Sequence, residues 1–393
     1  MNHSFTVEYF IVLYHMSWDD DKNRQILLIS GDYMKKTKKI ILTGGGTAGH
    51  VAPNLALLPS LKEAGFDIYY IGSHNGIERE LVEAADIPYF GISSGKLRRY
   101  RSIKNITDIL RVGKGLLDAI RVIRKIRPDI VFSKGGFVVV PVIAAARLLK
   151  VGSIIHESDM TPGLANKLAM PFASKICVSF PETLAHVPSE KGIITGTPLR
   201  PEMLTGSKAA GFKYTGMDAN GLPVLLVTGG STGANAINAC VRAALPGLLQ
   251  KFQVVHLCGK GNLSGITKTG YVEFEYLKNA MADILAMADI VITRAGANTL
   301  FELTALNKPN LLIPLPAAQS RGDQLQNADS FQKQGFSMVL LEENMTPESL
   351  QSNISELYDN KEEFRQNMKN QNATDGVKNI MEVIENYLVS QGK

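Results

Sequence analysis

The sequence predicts an α/β protein made of two Rossmann-like halves that face each other across a cleft. Short apolar segments alternate with segments of helical periodicity along most of the 393 residues, which is typical of βαβ units and parallel sheets. A glycine-rich turn follows an apolar segment twice, at residues 43–49 and 228–234. Because each copy precedes a helical segment, this weak repeat predicts two similar halves with ligands at the cleft between them.

The composition excludes disordered and fibrous proteins, with 45% hydrophobic and 20% charged residues. The net charge of +5 is too small to indicate a nucleic-acid partner. Cys177, Cys240 and Cys258 form no CxxC pair, which argues against a disulfide framework or a structural zinc site and favours a reducing cytoplasm. We predict no transmembrane helix, because glycine and proline interrupt the uncharged stretch at residues 40–61.

The first half begins after an N-terminal segment of different character. Residues 1–33 contain five acidic and two basic residues without a clear period, and we expect this extension to be disordered or non-native, with Met34 as the natural start. Residues 34–198 form the first predicted domain, with helices at 53–64 and 103–126. Its predicted strands are 39–43, 67–72, 130–133, 153–156, 175–178 and 192–195.

The second half follows a predicted linker at residues 199–221, where proline and glycine interrupt the pattern. Residues 222–365 form the second predicted domain, and residues 366–393 a C-terminal helical segment. Thr346 is predicted to cap a helix that starts at Pro347. The predicted strands are 224–228, 253–258, 290–293, 310–314 and 337–340.

The first turn matches the GxGxxG pattern of dinucleotide-binding proteins at residues 44–49. Residues 71–73 are Ile-Gly-Ser, however, where such a protein would place an acidic residue for the ribose. The glycines are needed either for steric reasons or for backbone N–H groups that face a phosphate or a sugar. His50 follows directly, and its ordinary pKa near 6.5 suits proton transfer, although a lone histidine is more often structural.

The second turn, residues 229–233, is the better candidate for a phosphate site, because small residues allow the backbone to approach a diphosphate. It is not a Walker A loop, so ATP hydrolysis is not expected. Residues 294–302 lie at another strand-to-helix junction. Glu302 is there either a surface residue favoured by the helix dipole or a carboxylate that accepts hydrogen bonds from two ribose hydroxyls. A metal-binding DxD motif at a strand end is absent.

Seven motifs together resemble the MurG family within glycosyltransferase family 28, and the resemblance runs from about Met34 to near the C-terminus. The motifs are GGGTAGH (44–50), SKGGFVVVP (133–141), HESDMTPGLANK (156–167), TGTPLR (195–200), GGSTGA (229–234), TRAGANTLFE (293–302) and SRGDQLQNA (320–328). The chain is most similar to the form found in Gram-positive, low-GC bacteria.

The resemblance implies a GT-B fold and an inverting transfer of GlcNAc from UDP-GlcNAc without a metal or another cofactor. The implied acceptor is the 4-hydroxyl of MurNAc in lipid I (undecaprenyl-diphospho-MurNAc-pentapeptide), which gives lipid II for peptidoglycan. The implied location is peripheral, on the cytoplasmic face of the cell membrane, with roles in cell wall biogenesis, cell shape and cell division.

The resemblance also assigns site residues, and the catalytic candidates are Thr47 and, as our first choice for the base, His50. The turn approaches the donor sugar and the acceptor, Arg200 and Ser231 bind the diphosphate, and the helix at 297–302 surrounds the nucleotide. The assigned substrate-binding residues are Thr47, Ala48, Gly49, Asn166, Arg200, Ser231, Leu277, Ala297, Asn298, Thr299, Leu300, Phe301, Glu302 and Gln324. Leu277 would use its backbone at the uracil, and Asp159 stands where many members have Asn.

Two alternatives remain open at this point. One is another GT-B UDP-sugar glycolipid transferase, such as one that glucosylates diacylglycerol. The other is a non-enzymatic, membrane-associated scaffold with the same fold. A scaffold would be expected to lose some of His50, Arg200, Glu302 and Gln324, and all four are present.

Positive charge is concentrated in residues 96–127, which contain eleven basic and two acidic residues. We expect the loop at 93–102 and the basic face of the following helix to contact an anionic membrane surface. The same helix has an apolar stripe that is expected to face the core. The stripe consists of Ile106, Ile109, Leu110, Leu117, Ile120 and Ile123.

Overall fold

The structure is a computed structural model that describes residues 37–95, 104–230, 233–277, 280–319, 322–370 and 375–393. The side chains of residue 48 and of residues 104–110 are likewise not described. The predicted extension at 1–33, Ser231 and most of the basic loop ahead of residue 104 therefore lie outside the described residues.

The first half is a parallel sheet of seven strands in the order β3-β2-β1-β4-β5-β6-β7. These strands are β1 (Lys38–Thr43), β2 (Phe66–Ser73), β3 (Tyr89–Ile92), β4 (Ile130–Ser133), β5 (Gly152–Glu157), β6 (Lys175–Val178) and β7 (Gly192–Ile194). The helices on its two faces are α1 (Ala48–Ala56), α2 (Leu58–Glu63), α3 (Ile77–Glu83), α4 (Lys104–Ile126), α5 (Val139–Leu148) and α6 (Leu164–Ala169).

The second half is a parallel sheet of six strands in the order β10-β9-β8-β11-β12-β13. These strands are β8 (Val224–Thr228), β9 (Gln253–Leu257), β10 (Tyr271–Phe274), β11 (Ile290–Thr293), β12 (Asn310–Leu312) and β13 (Ser337–Val339). The remaining helices are α7 (Lys208–Thr215), α8 (Asn235–Leu248), α9 (Met281–Met287), α10 (Ala297–Ala305), α11 (Asp323–Lys333), α12 (Pro347–Asp359), α13 (Lys361–Asn370) and α14 (Gly376–Ser390).

The two sheets confirm the predicted fold class. Every predicted strand is present within two residues at either end, because central parallel strands are buried on both faces and appear as continuous apolar runs. β3 and β10 were not predicted from the sequence. Both are edge strands of four residues, and Gly91 and Glu273 interrupt their apolar residues.

The segment predicted to be an irregular linker contains helix α7. The hydroxyl of Ser207 caps this helix by accepting a hydrogen bond from the Ala210 N–H at 3.3 Å, and Gly216 ends it with a φ of +69°. α7 packs against α9 at Gly211, where a Cβ would lie only 2.5 Å from the carbonyl oxygen of Asp283. Gly211, one of the glycines that made this segment appear irregular in the sequence, therefore allows α7 and α9 to pack closely.

The C-terminal helices divide between the two halves. Thr346 caps α12 as predicted, and its hydroxyl accepts a hydrogen bond from the Ser349 N–H at 3.1 Å. Met368 of α13 packs in a cluster formed largely by the second half. α14 instead returns to the first sheet, where Ile384 is fully buried in the same cluster as Ile40.

The apolar stripe of α4 is rotated from the predicted position. Ile123 is buried as predicted and Ile120 is partly buried, but Leu117 is 56% exposed, so the prediction was wrong for that residue. Ala119 and Ile126 take buried positions instead. The remaining members, at residues 106, 109 and 110, have side chains outside the described part of the chain.

Both glycine-rich turns lie where ligands bind in open parallel sheets. The strand order reverses between β1 and β4 in the first sheet and between β8 and β11 in the second. Each turn directly follows the first strand of its sheet, at the carboxyl end. The helices on either side of such a reversal diverge and leave a crevice.

Candidate active site

The first glycine-rich turn is fixed by hydrogen bonds within the protein. The Gly45 N–H donates to the Gly135 carbonyl at 3.2 Å, and the Gly46 N–H donates to Glu78 Oε2 at 3.1 Å. Glu78 is buried, and burial alone would raise its pKa, but hydrogen bonds from Ser73 and from the Gly46 N–H bring the pKa below its usual range. Two N–H groups of the turn therefore donate to groups of the protein itself. Glu78 was not predicted as a site residue; it lies five residues after Ser73, the last residue of β2.

His50 lies in the first turn of α1 with a defined tautomer. Its Nδ1 is 2.9 Å from the carbonyl oxygen of Gly45 and 3.1 Å from Thr47 Oγ1. Because a carbonyl oxygen can only accept, Nδ1 carries the proton and the lone pair of the neutral ring is on Nε2. A Cβ on Gly135 would lie 3.6 Å from Nε2, so a glycine there keeps space beside this nitrogen.

Thr47 and His50 border a cavity of about 430 Å³. Residues from both halves of the molecule form its wall. They include Thr47, Gly49, His50 and Asn166 from the first half and Ala297 and Asn298 from the second.

Two asparagines make this cavity suitable for a hydroxyl-rich ligand. Asn298 Nδ2 donates to the Gly49 carbonyl at 2.9 Å and so joins the two halves. Asn166 Nδ2 donates to Glu157 Oε2 at 2.9 Å. The Oδ1 atoms of both asparagines are buried and accept no hydrogen bond from the described residues. Such acceptors match the hydroxyl or amide donors of a sugar.

A second cavity, of about 600 Å³, opens at the second glycine-rich turn. A Cβ on Gly229 would collide with Ala234, and one on Gly233 would collide with the carbonyl of Cys258, so the turn requires glycine. α8 and α10 start beside this cavity, and no described side chain caps either helix. Uncapped N-terminal N–H groups favour an anionic ligand.

Arg200 and Glu302 form an ion pair, with 3.3 Å between Arg200 Nη2 and Glu302 Oε1. Neither residue lines the second cavity, but Thr299, which precedes Glu302 in α10, does. Glu302 lies in the second turn of α10. Burial raises the pKa of its carboxyl group, and the charge of Arg200 partly opposes that shift. Residues assigned by resemblance to the diphosphate and the ribose are therefore neighbours.

Arg294 and Glu342 are further candidate site residues, and neither was assigned a role from the sequence. Both line the second cavity and form an ion pair with each other. Gln324 and Thr299 line the same cavity. Gln324 Oε1 accepts the Leu315 N–H at 2.9 Å, so the Nε2 amide is the part of Gln324 suited to donate to a ligand.

Several predicted residues have side chains directed into the protein. Leu277 and Leu300 are buried in hydrophobic clusters, so only their backbone could reach a ligand. Phe301 packs edge-on against Phe180 with ring centroids 5.2 Å apart. Asp159 Oδ1 accepts a hydrogen bond from Asn327 Nδ2 at 3.3 Å. Ser231 and the Ala48 side chain lie outside the described residues.

Comparison with solved structures supports the GT-B architecture. The crystal structure of MurG from Acinetobacter baumannii superposes with a TM-score of 0.69 and 24% identity, covering 89% of this chain and 99% of the other. The kitacinnamycin glycosyltransferase gives a TM-score of 0.70 at 17% identity and covers 90% of this chain and all of the other. A putative UDP-N-acetylglucosamine 2-epimerase from Listeria monocytogenes gives a TM-score of 0.64 at 15% identity, covering 89% and 96%.

Comparison with related sequences identifies the family, whereas the solved structures support only the fold. One relative, from Lachnospira eligens, is 56% identical over 88% of this chain and 99% of its own length. Another, from Clostridium novyi, is 52% identical over 89% and 98%. Both are named UDP-N-acetylglucosamine--N-acetylmuramyl-(pentapeptide) pyrophosphoryl-undecaprenol N-acetylglucosamine transferase. The family's N-terminal domain profile matches residues 40–178 and its C-terminal domain profile matches residues 224–384. The chain therefore belongs to glycosyltransferase family 28 and, within it, to the MurG family.

Proposed function

We propose that this chain transfers GlcNAc from UDP-GlcNAc to the 4-hydroxyl of MurNAc in lipid I and so makes lipid II. The observation that carries this proposal is the 52–56% identity to relatives named for this reaction, over 98–99% of their length. The fold alone would not select it, because transferases with other names and 2-epimerases have similar structures.

The donor binds on the second half in this proposal. Its diphosphate lies at the glycine-rich turn with Ser231 and Arg200, and the Glu302 carboxylate accepts hydrogen bonds from the ribose hydroxyls. Charge develops on the diphosphate as UDP leaves. Fixed N–H groups and Arg200 stabilise that charge in the cleft and take the role that a metal ion has in other transferases.

The acceptor sugar occupies the cavity beside His50. Nδ1 of His50 is protonated and hydrogen-bonded to Gly45, so Nε2 can take the proton of the attacking hydroxyl. Attack from the face opposite UDP inverts the anomeric centre. The contact between Asn298 and Gly49 brings the helix of the donor site next to the acceptor turn, which aligns the two substrates.

The test is transfer of labelled GlcNAc from UDP-GlcNAc to a lipid I analogue by the purified protein. We expect a labelled product that comigrates with lipid II, and its loss in the His50→Ala variant. Parallel reactions contain diacylglycerol as acceptor or no acceptor. Label on diacylglycerol alone would identify a different glycolipid transferase, and formation of UDP-ManNAc without an acceptor would identify a 2-epimerase. No reaction in any mixture would favour a scaffold.

We further propose that the protein binds the cytoplasmic face of the membrane peripherally through α4 and the loop before it. Arg111, Lys114, Arg121 and Arg124 on α4 are exposed, and so is the apolar Leu117. Among the described residues, no helix is long and apolar enough to span a bilayer. Each basic residue near an anionic surface contributes about 1 kcal/mol, and salt screens the effect.

Co-sedimentation with vesicles of anionic phospholipid tests this surface. We expect wild-type protein to sediment at low salt and much less at high salt. A variant with Lys114, Arg121 and Arg124 changed to Glu should stay in solution, and so should one with Lys96, Arg98, Arg99 and Arg101 changed to Glu. The matched control changes the exposed Lys213, Lys251 and Lys369 of the second half to Glu. Equal loss in this control would assign the effect to net charge.

A further inference from the structure

Lys134 and His156 form a buried pair that the proposed reaction does not use. Lys134 follows β4 and is 2% exposed, and His156 on β5 is fully buried. Lys134 Nζ lies 2.6 Å from His156 Nδ1 and also contacts Ser158 Oγ. Burying an ammonium group is unfavourable unless it is paired, and the carboxylates of Glu157 and Asp159 lie close enough to offset part of that cost.

The hydrogen bonds of His156 define its tautomer. Its Nε2 lies 2.8 Å from the carbonyl oxygen of Gly196. Since the carbonyl can only accept, Nε2 carries the proton and Nδ1 accepts from Lys134. Burial and the neighbouring charge of Lys134 lower the pKa of His156, which keeps the ring neutral and therefore able to accept at Nδ1.

Gly196 belongs to the segment at residues 195–200, which we call the crossing segment because it leads from β7 to the second half. The crossing segment has further anchors on the first half. Ser179 Oγ lies 2.6 Å from Thr197 Oγ1, and Asn379 of α14 donates to the Thr195 carbonyl at 3.0 Å. At its other end Arg200 reaches Glu302.

We propose that Lys134 and His156 are positioning residues for the transfer reaction. Lys134 orients the imidazole of His156, the imidazole holds the Gly196 carbonyl, and the crossing segment then delivers Arg200 to the donor site. Lys134 also lines the acceptor cavity, so this chain of contacts connects the two substrate sites. The inference rests on the proposed function, because that function gives Arg200 its role at the diphosphate.

The experiment measures UDP affinity by calorimetry, which needs no turnover. We expect His156→Leu and Lys134→Met each to weaken UDP binding about tenfold. This is the lower end of the loss expected when one hydrogen bond between charged groups, here Arg200 and the diphosphate, is weakened. His156→Gln should stay near wild type, because one amide can donate to Gly196 and accept from Lys134. In the Arg200→Ala background, His156→Leu should cause no further loss, because both changes remove the same interaction.

Ile154→Ala is the matched control, since Ile154 is a buried residue of the same strand without a polar link to the crossing segment. Equal loss of UDP affinity in this control would overturn the proposal, and so would additive losses for Arg200→Ala and His156→Leu. Wild-type affinity in both His156→Leu and Lys134→Met would also overturn it while leaving the proposed function intact. A wild-type protein that does not bind UDP would instead overturn the proposed function, and this inference with it.

Discussion

At the scale of single residues, the fold determines which ring nitrogen of His50 can act as a base, because it places the other nitrogen beside a carbonyl oxygen. With Nδ1 bonded to Gly45, Nε2 is the nitrogen that can accept a proton. His50→Ala should therefore lower turnover by roughly 10²–10⁴-fold and leave UDP affinity close to wild type. Steady-state kinetics and calorimetry measure the two effects, with the exposed His186→Ala as control. Near-full turnover in His50→Ala would place the base elsewhere.

Glu302 is expected to act on the donor rather than on the acceptor. A carboxylate that accepts from two ribose hydroxyls makes charge-assisted hydrogen bonds, each contributing about 1.5–3 kcal/mol. Glu302→Ala should therefore make the free energy of UDP binding less favourable by at least the contribution of one such hydrogen bond. Calorimetry measures this change. Glu343→Ala, at an exposed site of the second half, should have no effect. Unchanged UDP affinity in Glu302→Ala would remove this residue from the site.

Lys134 should make stability depend on pH. Burial lowers its pKa from 10.5 to about 7, although Glu157, Asp159 and Cys177 oppose the shift. Between about pH 7 and pH 10 the unfolded chain binds this proton and the folded protein does not. Wild type should therefore gain stability over Lys134→Met as the pH rises, by at most about 1.4 kcal/mol per pH unit. Urea unfolding of both proteins across this range measures the difference, and a constant difference would contradict the lowered pKa.

At the scale of elements, the last helix completes the core of the first sheet. α14 buries Ile380, Ile384 and Leu388 against strands that precede it by more than 200 residues. Ile384→Ala should reduce the free energy of unfolding by about 2–5 kcal/mol, the usual cost of such a cavity. Val389→Ala on the same helix should be nearly neutral, because Val389 is 70% exposed. Chemical denaturation compares the two, and equal effects would show that α14 does not pack as described.

At the scale of the whole molecule, an aromatic cluster joins the two halves. Phe180, which follows β6 of the first sheet, is buried among Leu300, Phe331 and other residues of the second half. Phe180→Ala should cost about 3–5 kcal/mol of stability, and the loss of this shared contact should broaden or split the unfolding transition. The exposed Phe172→Ala is the control. An unchanged transition in Phe180→Ala would show that the halves are coupled elsewhere.

Much of this protein could be predicted from local patterns in its sequence. The central strands, the two glycine-rich turns and the Thr346 cap depend on residues that are adjacent along the chain, so periodicity and turn composition suffice to locate them. The motifs that resemble the MurG family are also local runs. His50 and Glu302 could be chosen as candidates for the same reason, since each lies in or next to such a run.

The tertiary structure decided the contacts between residues that are far apart in the chain. No local sequence pattern indicates that Glu78 accepts a hydrogen bond from the Gly46 N–H. The hydrogen bond between Asn298 and Gly49 joins residues that are 249 positions apart. The return of α14 to the first sheet and the link from Lys134 through His156 to Gly196 are of the same kind. Periodicity shows that a side chain will be buried, but it does not show against which element. The packing of both sheets determines which element covers a given apolar side chain. The hydrophobic effect alone does not, because it depends on the apolar area removed from water and is not directional.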